Sequence, residues 1–270
     1  MIRFLVIGSG AAAVGAIYGL IDKYGHDITI DLLTSESFSE KISGTAPSSS
    51  ILMPQKTKHG KQPATWDCKD SSLKIYDSRY HSMTQFWGAG MMPAKLDEEP
   101  NLAPEYSLAS ERLLQRIPML GEDDYLTQYL GRKSHNLAWP NQSNFPKLNI
   151  TYDNMKFCSG RARISLVSSP SKGCIVCGKC MSGCPEDVIW HSRIEIEKIS
   201  KLVNLNTLHG EVKRITAENL VISTEDGLSN VDLKGYKSTI LCTGVVSTIK
   251  IVLDSLDYVE SIGFYDTPVY

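Results

Sequence analysis

The sequence predicts an α/β fold of the Rossmann-like kind, interrupted by an inserted segment. Three observations predict it. An apolar run, Ile2 to Ile7, ends in Gly8-Ser9-Gly10 and opens into a helix of small residues. A second apolar run, Thr239 to Cys242, ends in Thr243-Gly244 near the other end of the chain. Between them lies a stretch holding four of the chain's seven cysteines. With 270 residues, 42% of them hydrophobic, the chain can bury a large core as one big domain or two interleaved ones. A net charge of -2 excludes the basic footprint of a nucleic-acid binder.

The first strand and its turn carry the strongest local signal. Phe4 to Ile21 holds no charged residue, which by itself would also fit a signal peptide or membrane span. A Gly-x-Gly turn in its middle, followed by Asp22, Lys23 and a second strand from Ile28 to Leu33, excludes that reading, because a strand buried on both faces is equally apolar. The spacing Gly8-x-Gly10-x-x-Ala13 is that of a dinucleotide turn. Gly8 permits the tight turn, Gly10 lets backbone approach a pyrophosphate, and Ala13 lets the helix pack on the sheet. Ser9, Ala11 and Ala12 complete the loop, and Gly15 is read as a further close approach. The helix, Ala11 to about Lys23, aims its N-terminal N–H groups at the phosphate and ends at Gly25-His26. The acid expected after the second strand is missing. Asp31 lies inside the strand, so a hydroxyl of Thr34 or Ser35, or Glu36 beyond it, is left for a ribose.

The Ser/Thr/Lys/Pro-rich stretch from Thr45 to Thr65 reads as a loop. Glu111 to Leu120 has helical apolar spacing. The cysteines at 174, 177, 180 and 184, followed by Pro185, show the C-x2-C-x2-C-x3-C-P spacing of bacterial ferredoxins. Two intervening residues let successive thiolates face one [4Fe–4S] cube, and the glycines at 173, 178 and 183 give the loop its freedom. Zinc is the rival, although structural zinc sites present separated Cys-x2-Cys pairs. In two-cluster ferredoxins the fourth cysteine serves the other cluster, so here the ligands are Cys174, Cys177 and Cys180 with either Cys184 or the remote Cys158. Cys68 has no partner, and Cys242 reads as a small core residue. Clustered cysteines without a signal segment point to the reducing cytoplasm.

Two segments carry a family resemblance. "HSMTQFWGAGMMP", with Trp87, Gly88, Ala89 and Gly90, resembles the flavin-side loop of the glucose–methanol–choline oxidoreductases, with Thr84 and Gln85 in place of the more usual Ser and Asn. "GRARISLVSSPSKGCIVCGKCMSGCPEDVIWHS" resembles a bacterial branch of that family that carries a ferredoxin-type loop, often linked to surface-polysaccharide biosynthesis. The resemblance implies FAD rather than NAD, with backbone near Gly210 to Val212 beside the adenine and Thr243-Gly244 returning to the dinucleotide. It implies a discontinuous FAD-binding domain, 1–95 and 200–270, and a cap at 96–199 bearing the iron–sulfur loop at 171–190. It also implies dehydrogenation of an alcohol on a sugar-like substrate, with electrons leaving through the cluster to a one-electron acceptor, a protein or a quinone. The family's catalytic histidine segment has no counterpart before "GFYDTPVY". The expectation is therefore a fragment, a short form, or a site completed by a partner chain. The histidines at 81, 135, 191 and 209 are present, and none is assigned a catalytic role. Two alternatives stand beside the enzyme: a non-catalytic FAD/iron–sulfur electron-transfer subunit, and a zinc-stabilised nucleotide-binding protein.

Overall fold

Strand β1 (Ile2–Ile7) runs into helix α1 (Ala11–Tyr24) and returns as strand β2 (Ile28–Thr34). A short hairpin follows, β3 (Thr65–Asp67) with β4 (Lys74–Tyr76). The middle of the chain holds α2 (Ala103–Arg116), β5 (Met119–Gly121), α3 (Tyr125–Leu130), β6 (Leu137–Ala138), β7 (Asn149–Tyr152), β8 (Met155–Cys158) and β9 (Ile164–Ser165). The last part runs α4 (Ser192–Ile199), β10 (Asn204–His209), β11 (Glu211–Ile215), β12 (Asn219–Thr224), β13 (Gly227–Asp232), β14 (Ser238–Leu241) and α5 (Val245–Ser255). The structure is a computed structural model, and it describes residues 1–35, 65–67, 74–76, 90–91, 103–130, 133–139, 149–153, 155–158, 160–167, 173–178, 180, 184–186, 188–224, 226–258 and 260. It divides into two units: Met1–Glu40 with Lys56–Ser82 and Ser192–Tyr270, and Lys41–Gln55 with Met83–His191.

The first unit is built on a four-stranded parallel sheet in the order β10-β2-β1-β14. Every residue of β2 is buried, because it lies between β1 and β10 with both faces covered. One face carries Leu5, Ile7 and Leu33, which pack with Val212, Leu220 and Ile222 of the antiparallel β11-β12-β13 meander and Ile251 of α5. On α1, the Tyr24 ring stands 5.1 Å from the ring of Phe4 in β1. Helix α4 joins this unit rather than the second. The Tyr18 hydroxyl of α1 donates to the Glu195 carboxylate at 2.7 Å, and Lys198 reaches the other oxygen at 2.5 Å. Glu195 is fully buried, so these two donors supply the partners that a desolvated carboxylate requires.

The second unit holds a small sheet, β6-β5-β9, and the β7-β8 hairpin. The expected helix from Glu111 to Leu120 is corrected here. Helix α2 starts earlier, at Ala103, and stops at Arg116, and Met119 and Leu120 belong to β5. Pro118 disfavours helical geometry at Ile117 and has no N–H to extend the helical ladder, so an apolar spacing that continues on paper breaks there. The close approach expected at Gly15 is also corrected: among the described residues, a Cβ there would meet nothing within 4 Å. The loop reading for Thr45 to Thr65 lies outside the described residues except for Thr65.

Candidate functional site

The carboxyl ends of β1 and β14 meet at the point where the strand order of the sheet reverses, with β2 and β10 on one side of β1 and β14 on the other. In open α/β sheets this is where ligands bind. Gly8 takes φ +110, and its N–H donates to the Leu33 carbonyl at 2.8 Å. A Cβ at Gly8 would stand 2.2 Å from the Cys242 carbonyl oxygen and 2.6 Å from its carbon. Only glycine fits between the two loops. Gly10 is the N-cap of α1 and Gly244, at φ +81, is the N-cap of α5. Neither helix has a side-chain cap or an acidic residue in its first turn. Two helix N-termini therefore start from adjacent parallel strand ends, each from a glycine that has no side chain to cap it, a placement suited to a phosphate. Ala11 and Ala12 are exposed there, while Ala13 is fully buried in the helix–sheet contact. Cys242 is buried, and burial pushes its thiol up to about 11, so it acts as packing.

The carboxyl end of β2 adjoins this crevice. Thr34 is buried, and its hydroxyl donates to the Ser9 hydroxyl at 3.2 Å, bracing the glycine loop. Ser35 is exposed at the same strand end. The Gly210 N–H donates to the Thr34 carbonyl at 3.0 Å, which brings the start of β11 to this end of the sheet. The Val212 side chain itself points into the core. Asp31 is tied off by Arg3 at 2.5 Å, the Tyr236 hydroxyl at 2.5 Å and the Asn206 amide at 2.9 Å. Burial alone would raise its carboxyl, but these donors outweigh it and hold it below the usual carboxylate range. The same contact works in reverse on Tyr236, where burial and then the bond to Asp31 push the phenol up to about 12.

The cysteine loop belongs to the second unit and springs from a short ladder. Leu166 bridges Ile189, the Val167 N–H donates to the Val188 carbonyl at 2.7 Å, and the Trp190 N–H donates to the Ser165 carbonyl at 3.1 Å. Leu120, Ile164, Leu166 and Val188 form the apolar cluster beneath it. Cys174, Cys180 and Cys184 all pack on that cluster, together with Trp139. Cys177 is exposed. It sits between Val176 at φ +57 and Gly178 at φ +70. A β-branched residue in left-handed backbone is strained, and such strain gathers at functional loops. The Cys180 thiol is pushed up first by burial and then by Cys174, Cys177 and Cys184, a sign that the four sulfurs are electrostatic neighbours. Among the described residues, no three Cys, His, Asp or Glu side chains converge closely enough to hold a metal ion. Cys174, Cys180 and Cys184 touch the apolar cluster, and the four thiols do not close on a common point. The Cys158 backbone pairs with Asn149 in the β7-β8 hairpin.

One polar centre went unread in the sequence. Arg163 is fully buried, and its guanidinium donates to both Asp124 oxygens at 3.0 and 2.8 Å, to the Ser134 hydroxyl at 2.8 Å, to the Thr127 hydroxyl at 2.7 Å, and to the carbonyls of Arg161 and Glu122. Asp124 also accepts the N–H groups of Arg161, Leu126 and Thr127, the last two capping α3. Burial opposes ionisation, but the bonds from Arg163, Arg161 and Thr127 bring the Asp124 carboxyl down to about 2. The "GRAR" run was visible in the sequence, but its partner thirty-nine positions away was not. His135 lies beside this centre, and burial followed by the charge of Arg163 pushes its imidazole down. Its ring packs against Gly121, where a Cβ would come within 2.5 Å.

The structure thus brings Gly8, Ser9, Gly10, Ala11, Ala12, Ala13, Thr34, Ser35, Thr243 and Gly244 to one end of the first unit's sheet, with the strand of Val212 beside them. Gly90 lies in the second unit, where it bridges Ile164. Trp87, Gly88 and Ala89 lie outside the described residues. Among the described residues, no helix is long and apolar enough to cross a membrane.

Solved structures share this α/β fold. Pyridoxine 4-oxidase from Mesorbium loti superposes with a TM-score of 0.60 over 94% of this chain and 52% of its own, at 10% identity. Formate oxidase from Aspergillus oryzae RIB40, a protein in which FAD modification is described, superposes with a TM-score of 0.54 over 94% of this chain and 48% of its own, at 12% identity. The chain spans about half the length of these solved structures. No family model and no curated protein sequence matches it.

Proposed function

We propose that the chain is an FAD-dependent oxidoreductase that dehydrogenates an alcohol group of a sugar-like small molecule and passes electrons through a [4Fe–4S] cluster to a one-electron acceptor. The observation that carries the flavin part is the crevice between β1 and β14. There the missing Cβ of Gly8 permits contact with the backbone of Cys242, and two helix N-termini without side-chain caps face the space a pyrophosphate needs. Ser9 to Ala13 and Thr243-Gly244 would hold the phosphates, Ser35 the ribose, and the backbone before Val212 the adenine. Thr34 acts by fixing Ser9. Trp87 to Gly90 are assigned to the flavin ring by their resemblance alone.

The residues of the thiol loop fit an iron–sulfur cluster by donor chemistry. They offer four soft sulfur ligands at ferredoxin spacing, and their mutual repulsion as thiolates is relieved when iron binds. Cys184 is favoured over Cys158 as the fourth ligand, because it packs on the same apolar cluster as Cys174 and Cys180. When bound, FAD supplies two-electron chemistry and the cluster supplies one-electron chemistry, a combination that converts between the two. The chain's own contribution is to orient the dinucleotide at the glycine loop and to pack three of the thiols, partly buried, on an apolar cluster. The cysteines and the reading of a reducing compartment agree.

Anaerobic purification tests the reading. A yellow-brown protein with flavin, iron and acid-labile sulfide supports it, and a colourless protein with stoichiometric zinc overturns it in favour of a zinc-stabilised nucleotide binder. Bleaching of the flavin by added sugar alcohols marks an enzyme. Flavin and cluster without such bleaching mark an electron-transfer subunit.

A further inference from the structure

Against the apolar cluster on which the cysteines pack lies a buried polar atom with no partner among the described residues. Trp139 follows β6 and packs on Leu120, Ile164, Leu166 and Val188, the same side chains that carry Cys174, Cys180 and Cys184. Its indole Nε1 is buried and has no acceptor among the described residues. A buried tryptophan N–H ordinarily finds a partner, and leaving one unmade costs the full desolvation of the group. Phenylalanine would fill the same apolar site without that cost, so packing alone does not account for an indole here. The ring is also held. The Arg161 guanidinium stands 5.8 Å from its centroid, and Arg161 is itself fixed by Glu122 at 3.2 Å and by its N–H bond to Asp124 at 2.8 Å. The indole N–H, unpartnered among the described residues, therefore belongs to a ring that packs on the same apolar cluster as three of the cysteines.

We infer that Trp139 donates its indole N–H to a sulfur of the group held by Cys174, Cys177, Cys180 and Cys184, and thereby sets its reduction potential. The inference rests on the [4Fe–4S] reading above. Reduction adds one negative charge that is spread over the sulfurs, so a donor aimed at them stabilises the reduced form more than the oxidised form and raises the potential. The apolar cluster beside them lowers the local dielectric and strengthens such a contact.

The test is a redox titration of the full chain, purified anaerobically, with dithionite as reductant and electron paramagnetic resonance of the reduced cluster as readout. In W139F, iron and acid-labile sulfide stay at the wild-type content while the midpoint falls. At the potential where half of the wild-type cluster is reduced, the ratio of reduced to oxidised cluster drops about tenfold, equivalent to about 59 mV for one electron. Full cluster content with an unchanged midpoint overturns the role of Trp139 and leaves the cluster reading intact. Wild-type protein lacking iron and sulfide overturns both. Should W139F lose its cluster, wild-type protein grown with 15N-indole tryptophan decides the question. Pulsed resonance of the reduced cluster then shows coupling to an indole nitrogen and its exchangeable proton, and absence of that coupling overturns the inference.

Discussion

Replacing Gly8 by alanine should open the crevice proposed to hold the dinucleotide. The new Cβ would lie 2.2 Å from the carbonyl oxygen of Cys242 and 2.6 Å from its carbon, and both are backbone atoms that no rotamer change can move. An ordinary carbon–oxygen contact is about 3.4 Å. The loops would have to separate by about 1.2 Å to reach it from 2.2 Å. The bond from the Cys242 N–H to the Ile7 carbonyl is 2.7 Å long and ties the same two strand ends together. Separation on that scale breaks it. Losing one buried backbone bond costs about 1–3 kcal/mol, and forcing an L side chain to φ +110 adds about 1–2 kcal/mol. We expect Gly8→Ala to lower the unfolding free energy by about 3 kcal/mol in urea titrations followed by circular dichroism, and to abolish retention of FAD. Gly15→Ala, seven residues on in α1, is the control. No described residue lies within 4 Å of its added Cβ, and alanine in a helix interior gains up to about 1 kcal/mol. The reasoning is refuted if Gly8→Ala is as stable as Gly15→Ala and still binds flavin.

The other expectations follow the second unit and its loop. Arg163→Met leaves the Asp124 carboxylate buried without its charge partner and should cost about 3–5 kcal/mol in urea, whereas a loss below about 1 kcal/mol would show that the pair is not needed. The Asp124 carboxyl carbon, followed by NMR, should titrate near 2 rather than near its ordinary 3.8. Because the folded value is the lower one, the pair's contribution is complete above about pH 5 and is lost as the solution is acidified through that window, a loss of about 2 kcal/mol by pH 2. A carboxyl that titrates near 4 would contradict this. Cys180→Ser and Cys184→Ser should each strip iron from anaerobically prepared protein, while Cys158→Ser retains it. The reverse result for Cys184 and Cys158 would reassign the fourth ligand.

The legible parts of this protein are those whose chemistry is written over a few consecutive positions. Gly8, Gly10 and Ala13 form one turn of strand into helix, and the structure places them at the strand-order reversal that such a turn implies. The strand before Thr243-Gly244 was displaced by only one residue, Ser238–Leu241 instead of Thr239–Cys242. The helix over Glu111–Leu120 was misjudged at its end because apolar spacing runs on through Pro118, which the backbone cannot follow. Asp31 showed the limit more sharply. From sequence it is an acid near the end of the second strand, and only the pairing of β2 with β10 and the arrival of Tyr236 reveal that its oxygens are already taken.

By itself, then, the sequence determined the glycine turn, the parallel α/β frame and the four-thiol spacing, since each depends on neighbours within a dozen positions and on the conformations those neighbours allow. The tertiary structure alone decided that Gly8 must lack a Cβ because Cys242 lies against it, that Arg163 is a buried anchor for Asp124, and that Trp139 shares an apolar floor with three thiols. Those facts rest on contacts between segments tens to hundreds of residues apart, and burial, the property that makes them strong, exists only once the chain has folded.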